Sequence, residues 1–281
     1  MIIMDKVIVL DDMAYMRYRV KEILERKGIG VYEAGTSFDF FNKLHDNKDE
    51  INLIILEVGL SNEDGFEVIR KIKARNLNIP IMILTKMNTR NAFIKCIKEG
   101  TSEYILKPFN NKMLIERVNK LIKSSKNKDE QGEIIYLNFQ QYITRQIVKA
   151  KAEHTKLSII MISLIKKYFT EMDEKIEVKD NYLILVDSLY EKLRVLFKTP
   201  DLFEKYGFST LVGVLPRCQR GRVRFIMNKI NEIYNRIRSV DEKYSEYHLE
   251  CSYVVFPDDG KDKPQLLDKL TSNMKDKLNG K

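Results

Sequence analysis

Along the first 124 residues, short apolar runs alternate with segments of helical periodicity five times over. The runs Val7–Leu10, Gly30–Glu33, Leu53–Leu56, Ile79–Leu84 and Ser102–Leu106 are of strand length and rich in Ile, Val and Leu, as strands covered on both faces must be. Between and after them, apolar positions recur at helical spacing near 14–27, 37–45, 65–75, 88–99 and 111–123. Five such repeats predict an α/β fold, a doubly wound five-stranded parallel sheet whose working residues stand beyond the carboxyl ends of the strands. Residues 123–133 then carry no apolar side chain, which sets a linker at 125–133 between a domain at 1–124 and another at 134–281.

The second pattern is different. A helix is expected around Phe139, Tyr142, Ile143 and Ile147, followed by a strand at Leu157–Leu164 and a helix at Asn181–Phe197. A strand pair, Ser209–Leu215 and Cys251–Phe256, encloses a helix at Arg222–Ile237. Mixed helices and strands in this order imply an α+β domain.

Composition narrows the class. With 44% apolar and 32% charged residues the chain has enough apolar material for two cores. The longest nearly unbroken apolar run, Leu157–Ile165, is far short of the roughly 20 residues that a membrane span needs. The start, Met-Ile-Ile-Met-Asp, reads straight into a strand without a signal-peptide pattern, so a cytoplasmic protein is expected. Cys96, Cys218 and Cys251 are scattered, and His45, His154 and His248 make no ligand spacing with them, which argues against a zinc site or a disulfide framework. The formal charge of +9 raises nucleic acid or an anionic surface as partners, but residues 1–125 hold 21 basic and 17 acidic side chains, so neither half is a basic arm. A lysine-rich solvated surface is the expectation. Arg217–Arg224 is the only dense basic cluster, and no helix-turn-helix with basic recognition residues accompanies it, so DNA is not expected as a partner.

The chemistry lies at the strand ends. Asp11 and Asp12 follow the first strand, Glu57 the third, Thr85 ends the fourth and Lys107 follows the fifth. Three carboxylates, a hydroxyl and an ammonium on one rim outline a cation and phosphoryl pocket.

These residues, with Gly65 eight positions after Glu57, Tyr104 two residues into the fifth strand, and Lys107-Pro108-Phe109, resemble the receiver domain of two-component response regulators. The resemblance implies Mg²⁺ held by Asp11 and Asp12, and no other cofactor. It implies phosphoryl transfer to the residue after strand three, a switch made by Thr85 and Tyr104, and a histidine kinase upstream. Here the acceptor position is Glu57, one methylene longer than the family's aspartate. A displacement on the order of 1 Å costs about a hundredfold in a positioned reaction, so phosphorylation is not expected. Two readings compete: Glu57 imitates the phosphorylated state through Lys107 and Thr85, or it forms an ordinary salt bridge in a pseudo-receiver. Leu60-Ser61 also departs from the family's Met-Pro.

Residues 206–216, Tyr-Gly-Phe-Ser-Thr-Leu-Val-Gly-Val-Leu-Pro, resemble the G-G-D-E-F domain of diguanylate cyclases, which make cyclic di-GMP from GTP. Of the five signature positions only Gly207 is kept; Phe208, Ser209, Thr210 and Leu211 fill the others, and Ser163-Leu164-Ile165 stands where the family has Asp-x-Asp. Nucleotide condensation needs carboxylates to hold divalent cations, so the domain is read as degenerate and not an enzyme. Lys198 and Asp201 match the family's Arg-x-x-Asp inhibitory site for cyclic di-GMP, with a lysine lacking the planar fork of arginine. The reading is a bacterial phosphorelay-type signalling protein acting by binding to a partner protein or to itself as a homodimer. Around Asn88–Glu99 and Asn111–Lys123 lies the face through which receivers commonly dimerise. The alternatives are an effector sensing cyclic di-GMP or GTP, and a DNA-binding transcriptional regulator.

Overall fold

The computed structural model describes residues 5–126, 138–166, 180–207, 209–240 and 242–279. Most of the expected linker, 127–133, and Phe208 lie outside the described residues. The chain divides into two compact units, the first reaching to Met87 and resuming at Glu99–Asn138, the second formed by Asn88–Lys98 and the residues from Phe139 onward.

In the first half of the chain every predicted strand and helix is present. The order is β1 (Lys6–Leu10), α1 (Ala14–Glu25), β2 (Gly30–Ala34), α2 (Ser37–Asp46), β3 (Ile51–Leu56), α3 (Gly65–Ala74), β4 (Ile81–Thr85), α4 (Arg90–Lys98), β5 (Glu103–Leu106) and α5 (Asn111–Lys126). The five strands form a parallel sheet in the order β2-β1-β3-β4-β5. Parallel strands need crossover helices, and those helices cover the sheet, which is why Ile8, Leu10, Leu53, Ile54 and Leu56 are fully buried. The chain leaves β1 for β2 on one side and β3 on the other, so the crevice outside their carboxyl ends is the topological switch point. One glycine is dictated by this architecture. A Cβ on Gly65, the first residue of α3, would lie 2.5 Å from the Cα of Val58, so only hydrogen fits where the helix starts against the segment after β3. The helix is capped there by Asp64, whose side chain accepts from the Phe66 amide.

In the second unit, α6 (Phe139–Ala152), β6 (Leu157–Lys166), α7 (Asp180–Leu193), β7 (Leu202–Tyr206), β8 (Thr210–Pro216), α8 (Arg220–Val240), β9 (Tyr247–Phe256) and α9 (Lys263–Asn279) follow in order. The sheet is antiparallel with the order β7-β8-β6-β9. The expected pair Ser209–Leu215 and Cys251–Phe256 is corrected by this order: β6 lies between β8 and β9, because the β6-α7-β7 and β8-α8-β9 crossovers, each joining two parallel strands, interleave antiparallel to one another. β7 and α9 are absent from the sequence reading for physical reasons. β7 buries only Phe203 and Tyr206 at the sheet edge, and α9 spaces Leu266, Leu267, Leu270 and Met274 among lysines and other polar side chains.

Helices α7 and α8 pack their apolar faces on Ile160, Ile162 and Leu164 of β6. The opposite face is covered by α6 and α9, with α4 packed against α9. Within α4, Ala92, Phe93, Ile94, Cys96 and Ile97 are buried. Cys96, Cys218 and Cys251 are buried and unbridged. No helix among the described residues is long and apolar enough to cross a membrane.

Two glycines give opposite expectations. Gly65→Ala forces the α3 N-terminus off Val58 and is expected to destabilise by about 1–3 kcal/mol. Gly221, in the first turn of α8 with nothing within 4 Å of a built Cβ, is expected to stabilise as Gly221→Ala by about 0.5–1 kcal/mol. Urea midpoints of the two variants against the parent read both signs.

Candidate functional site

The rim of the parallel sheet gathers Asp11, Glu57, Thr85 and Lys107 at one point. Each is placed by a strand that ends there: Asp11 follows β1, Glu57 follows β3, Thr85 closes β4 and Lys107 follows β5. The Lys107 ammonium lies 2.5 Å from Asp11 Oδ2 and 2.8 Å from Glu57 Oε2, and the three side chains are only 2–5% exposed. Two carboxylates and one ammonium leave a net charge of −1 in a desolvated place, and such a group persists only if its remaining lone pairs are satisfied. They are. Glu57 Oε1 accepts from the Thr85 hydroxyl and, at 2.7 Å, from the Gly59 amide; its Oε2 accepts from Lys107 and, at 3.3 Å, from the Lys86 amide. A carboxylate has about four acceptor sites, and Glu57 fills all of them.

The loops around this carboxylate are tied in series. Thr85 Oγ1 also accepts from the Met87 amide at 3.1 Å, and the Met87 carbonyl accepts from the Tyr104 hydroxyl. Tyr104 is 2% exposed, its ring turned into the fold. Asp11 Oδ1 accepts from the Met13 amide at 2.9 Å, and the Arg17 guanidinium donates to the carbonyls of Asp11 and Asp12 at 2.7 and 3.2 Å.

Asp12 is set apart from this cluster. Its Oδ2 accepts from the Ser61 hydroxyl and, at 2.9 Å, from the Ser61 amide, and the Ser61 hydroxyl holds its carboxyl below the ordinary value of 3.8 against the opposing effect of burial. Ser61, noted in the sequence only as a departure, is therefore a working residue of the rim. Receiver domains commonly hold Mg²⁺ at this rim; here the Lys107 ammonium lies on Asp11 and Glu57, Asp12 is engaged by Ser61, and among the described residues no group of three or more His, Cys, Asp or Glu is placed to hold a metal.

With that geometry in place, the comparisons with known proteins are specific. Residues 7–119, about two fifths of the chain, match the response regulator receiver domain. The N-terminal domain is a response regulator receiver. The transcriptional regulatory protein PhoP of Escherichia coli K12 is 23% identical over 211 residues, 75% of this chain and 88% of that protein. The virulence transcriptional regulatory protein PhoP of Salmonella typhi is 22% identical over 213 residues, with the same coverage. Among solved structures, a receiver domain protein from Clostridium thermocellum is 27% identical and covers 43% of this chain and 97% of its own, with a TM-score of 0.41. A response regulator from Thermotoga maritima is 30% identical over 42% of this chain and 98% of its own, with a TM-score of 0.39.

Beyond the receiver, the positions singled out in the second unit come together only in part. Ser163 and Thr210 are register partners on β6 and β8, their hydroxyls 2.9 Å apart. Ser209 is buried, and Leu211 belongs to the core shared with α7 and α8. Gly207 takes a left-handed φ of +65°, and a Cβ there would meet the Phe93 ring at 2.2 Å. That glycine is kept for a close approach of a protein side chain. Lys198 and Asp201 share a turn through a 2.8 Å bond from the Asp201 amide to the Lys198 carbonyl, and burial pushes the Asp201 carboxyl up, opposed by Arg222. The sequence reading missed Glu250, a buried carboxylate paired in register with Ser163 from β9; no spacing motif marks it, since only the sheet order brings it there.

Lys107→Met leaves Asp11 and Glu57 buried without a counter-charge and is expected to cost about 3–5 kcal/mol. Glu57→Gln keeps the Lys107–Asp11 pair and is expected to cost distinctly less; denaturant midpoints rank the two. Ser61→Ala is expected to raise the Asp12 pKa toward 3.8, read by carboxyl NMR titration. In the parent a depressed Asp12 pKa contributes stability that is full above the unfolded value and is lost as pH falls through the folded value. The variant should lose less stability over that acid range.

Proposed function

We propose that this chain is a response regulator whose receiver is held in a phosphorylated-like arrangement by Glu57, without phosphoryl transfer. The observation that carries it is the donor set on Glu57: the Thr85 hydroxyl, the Lys107 ammonium and two backbone amides converge on one anionic group. Preorganised donors of this kind are what an oxyanion requires, and the glutamate supplies the oxyanion permanently. Thr85 turned onto Glu57 and Tyr104 buried against Met87 are the arrangement that the receiver resemblance assigns to the switched-on form. An ordinary salt bridge would engage Lys107 alone and leave Thr85 and the amides uncommitted.

The second unit is read as a G-G-D-E-F-like domain without cyclase chemistry, its output being binding. Supporting this are the interleaved β-α-β order, neutral hydroxyls at Ser163 and Thr210 where metal ligands are needed, and the Phe93 ring packed on Gly207 where a nucleotide would approach. No product is expected from GTP with Mg²⁺ or Mn²⁺; cyclic di-GMP in that assay overturns the non-catalytic reading.

The receiver reading is tested by acetyl phosphate treatment followed by a Phos-tag gel and amide exchange. The parent is expected to show no shifted band and no change in exchange at residues 86–89, whereas Glu57→Ala should speed exchange there by tenfold or more as the Thr85–Met87–Tyr104 series loosens. A shifted parent band that disappears in Glu57→Gln, or exchange unaffected by Glu57→Ala, refutes it.

A further inference from the structure

The basic excess has a definite address. α8 holds six basic residues and one acidic one, a net +5, equal to the whole net charge of residues 126–281. Its apolar face, Val223, Met227, Ile230, Tyr234 and Ile237, is buried in the core. On the outer face Arg224, Asn228, Asn231, Asn235 and Arg238 are all exposed and succeed one another at spacings of four, three, four and three. They form one straight stripe along about 21 Å of helix, at about 1.5 Å per residue.

We propose that this stripe is a binding surface for duplex DNA, with α8 lying in the major groove. Within the cluster Arg217–Arg224, Arg217 and Arg220 are engaged by Glu153 at 3.0 Å and Asp259 at 2.8 Å. Arg222, Arg224, Arg236 and Arg238 have no carboxylate within 4 Å among the described residues. Arg224 is instead steadied from behind by the Tyr253 hydroxyl at 3.0 Å, which positions the guanidinium without neutralising it. The one acidic residue, Glu232, is paired with Lys229.

The chemistry of the stripe selects the partner. The two arginines of the stripe, Arg224 and Arg238, have no carboxylate paired with them among the described residues and are free to seek phosphates, and arginine and asparagine are the side chains that grip guanine and adenine edges bidentately. The major groove is about 12 Å wide and admits a helix. A second copy of the chain is disfavoured, because α8 laid against itself in either direction sets arginine opposite arginine. A lipid surface is disfavoured because α8 exposes only two large apolar side chains, Phe225 beside the stripe and Val240 at its end, too few for an apolar face to insert. Two curated relatives that align well past the receiver are named as transcriptional regulators, which agrees with a nucleic-acid output. This inference rests on the second unit working by binding rather than catalysis.

Fluorescence anisotropy of the full chain with a mixed-sequence 30-base-pair duplex, over a salt series, tests it. Micromolar binding at low salt is expected, weakening linearly on log–log axes. Arg224→Ala with Arg238→Ala should shallow the slope by about 1.8, two phosphate contacts at about 0.9 each. Circular dichroism checks that the variant stays folded, and both positions are exposed. Absence of binding in low salt, an unchanged slope in the folded double variant, or tighter binding to single-stranded RNA or polyglutamate than to the duplex overturns the proposal. Product from GTP would strike the non-catalytic reading alone, since anisotropy reports on α8 whichever way that assay falls.

Discussion

One buried ammonium organises the receiver. Lys107 sits between Asp11 and Glu57 with almost no exposure, so the ends of β1, β3 and β5 are held at a separation that a single cation can bridge. Desolvation makes the arrangement all-or-none: three charges in a dry crevice are stable only with the full set of donors around them. The Gly59 and Lys86 amides and the Thr85 hydroxyl complete that set, so the loops after β3 and β4 are fixed by the same carboxylate. Gly65 belongs to this constraint as well, because the start of α3 must lie close against Val58, immediately after Glu57.

The receiver was legible in the sequence because its signals are local. Each strand is a compact apolar run, each helix shows its own period, and Asp11, Glu57, Thr85 and Lys107 each sit at or just after the end of a strand. What the sequence could not show was which carboxylates act together. Asp11 and Asp12 are neighbours in sequence and were read as one cation pair, yet one faces Lys107 and the other Ser61, since successive residues leaving a strand diverge in direction. Ser61 reads in the sequence as a departure from the family pattern, and only geometry shows its amide and hydroxyl donating to Asp12.

The second unit was harder to read because its order is non-local. β8 and β9 are successive strands in the expected pattern but are separated in space by β6, and the edge strand β7 has too little buried surface to announce itself. The same non-locality hid Glu250, which reaches Ser163 only across the sheet. Charge behaved in the opposite way. Summed over halves it is diffuse, yet folding sorts it: the 3.6-residue period of α8 buries Val223, Met227, Ile230, Tyr234 and Ile237 and leaves a line of arginine and asparagine on the opposite side.

A glutamate at the acceptor position changes the logic of a switch as well as its chemistry. A phosphoryl group adds about two negative charges and is removed by hydrolysis, whereas Glu57 adds one and is permanent. On the proposed reading one charge suffices because the Lys107 ammonium, shared with Asp11, lies directly against it. On that reading the acceptor sites of Glu57 are already filled by its four donors, so an incoming phosphoryl group finds no differential contact, and a ligand that makes no differential contact shifts no equilibrium. On the proposed reading the receiver therefore sets a fixed level of output. Variation in the signal then has to come from how much of the protein is made or from what the second unit binds.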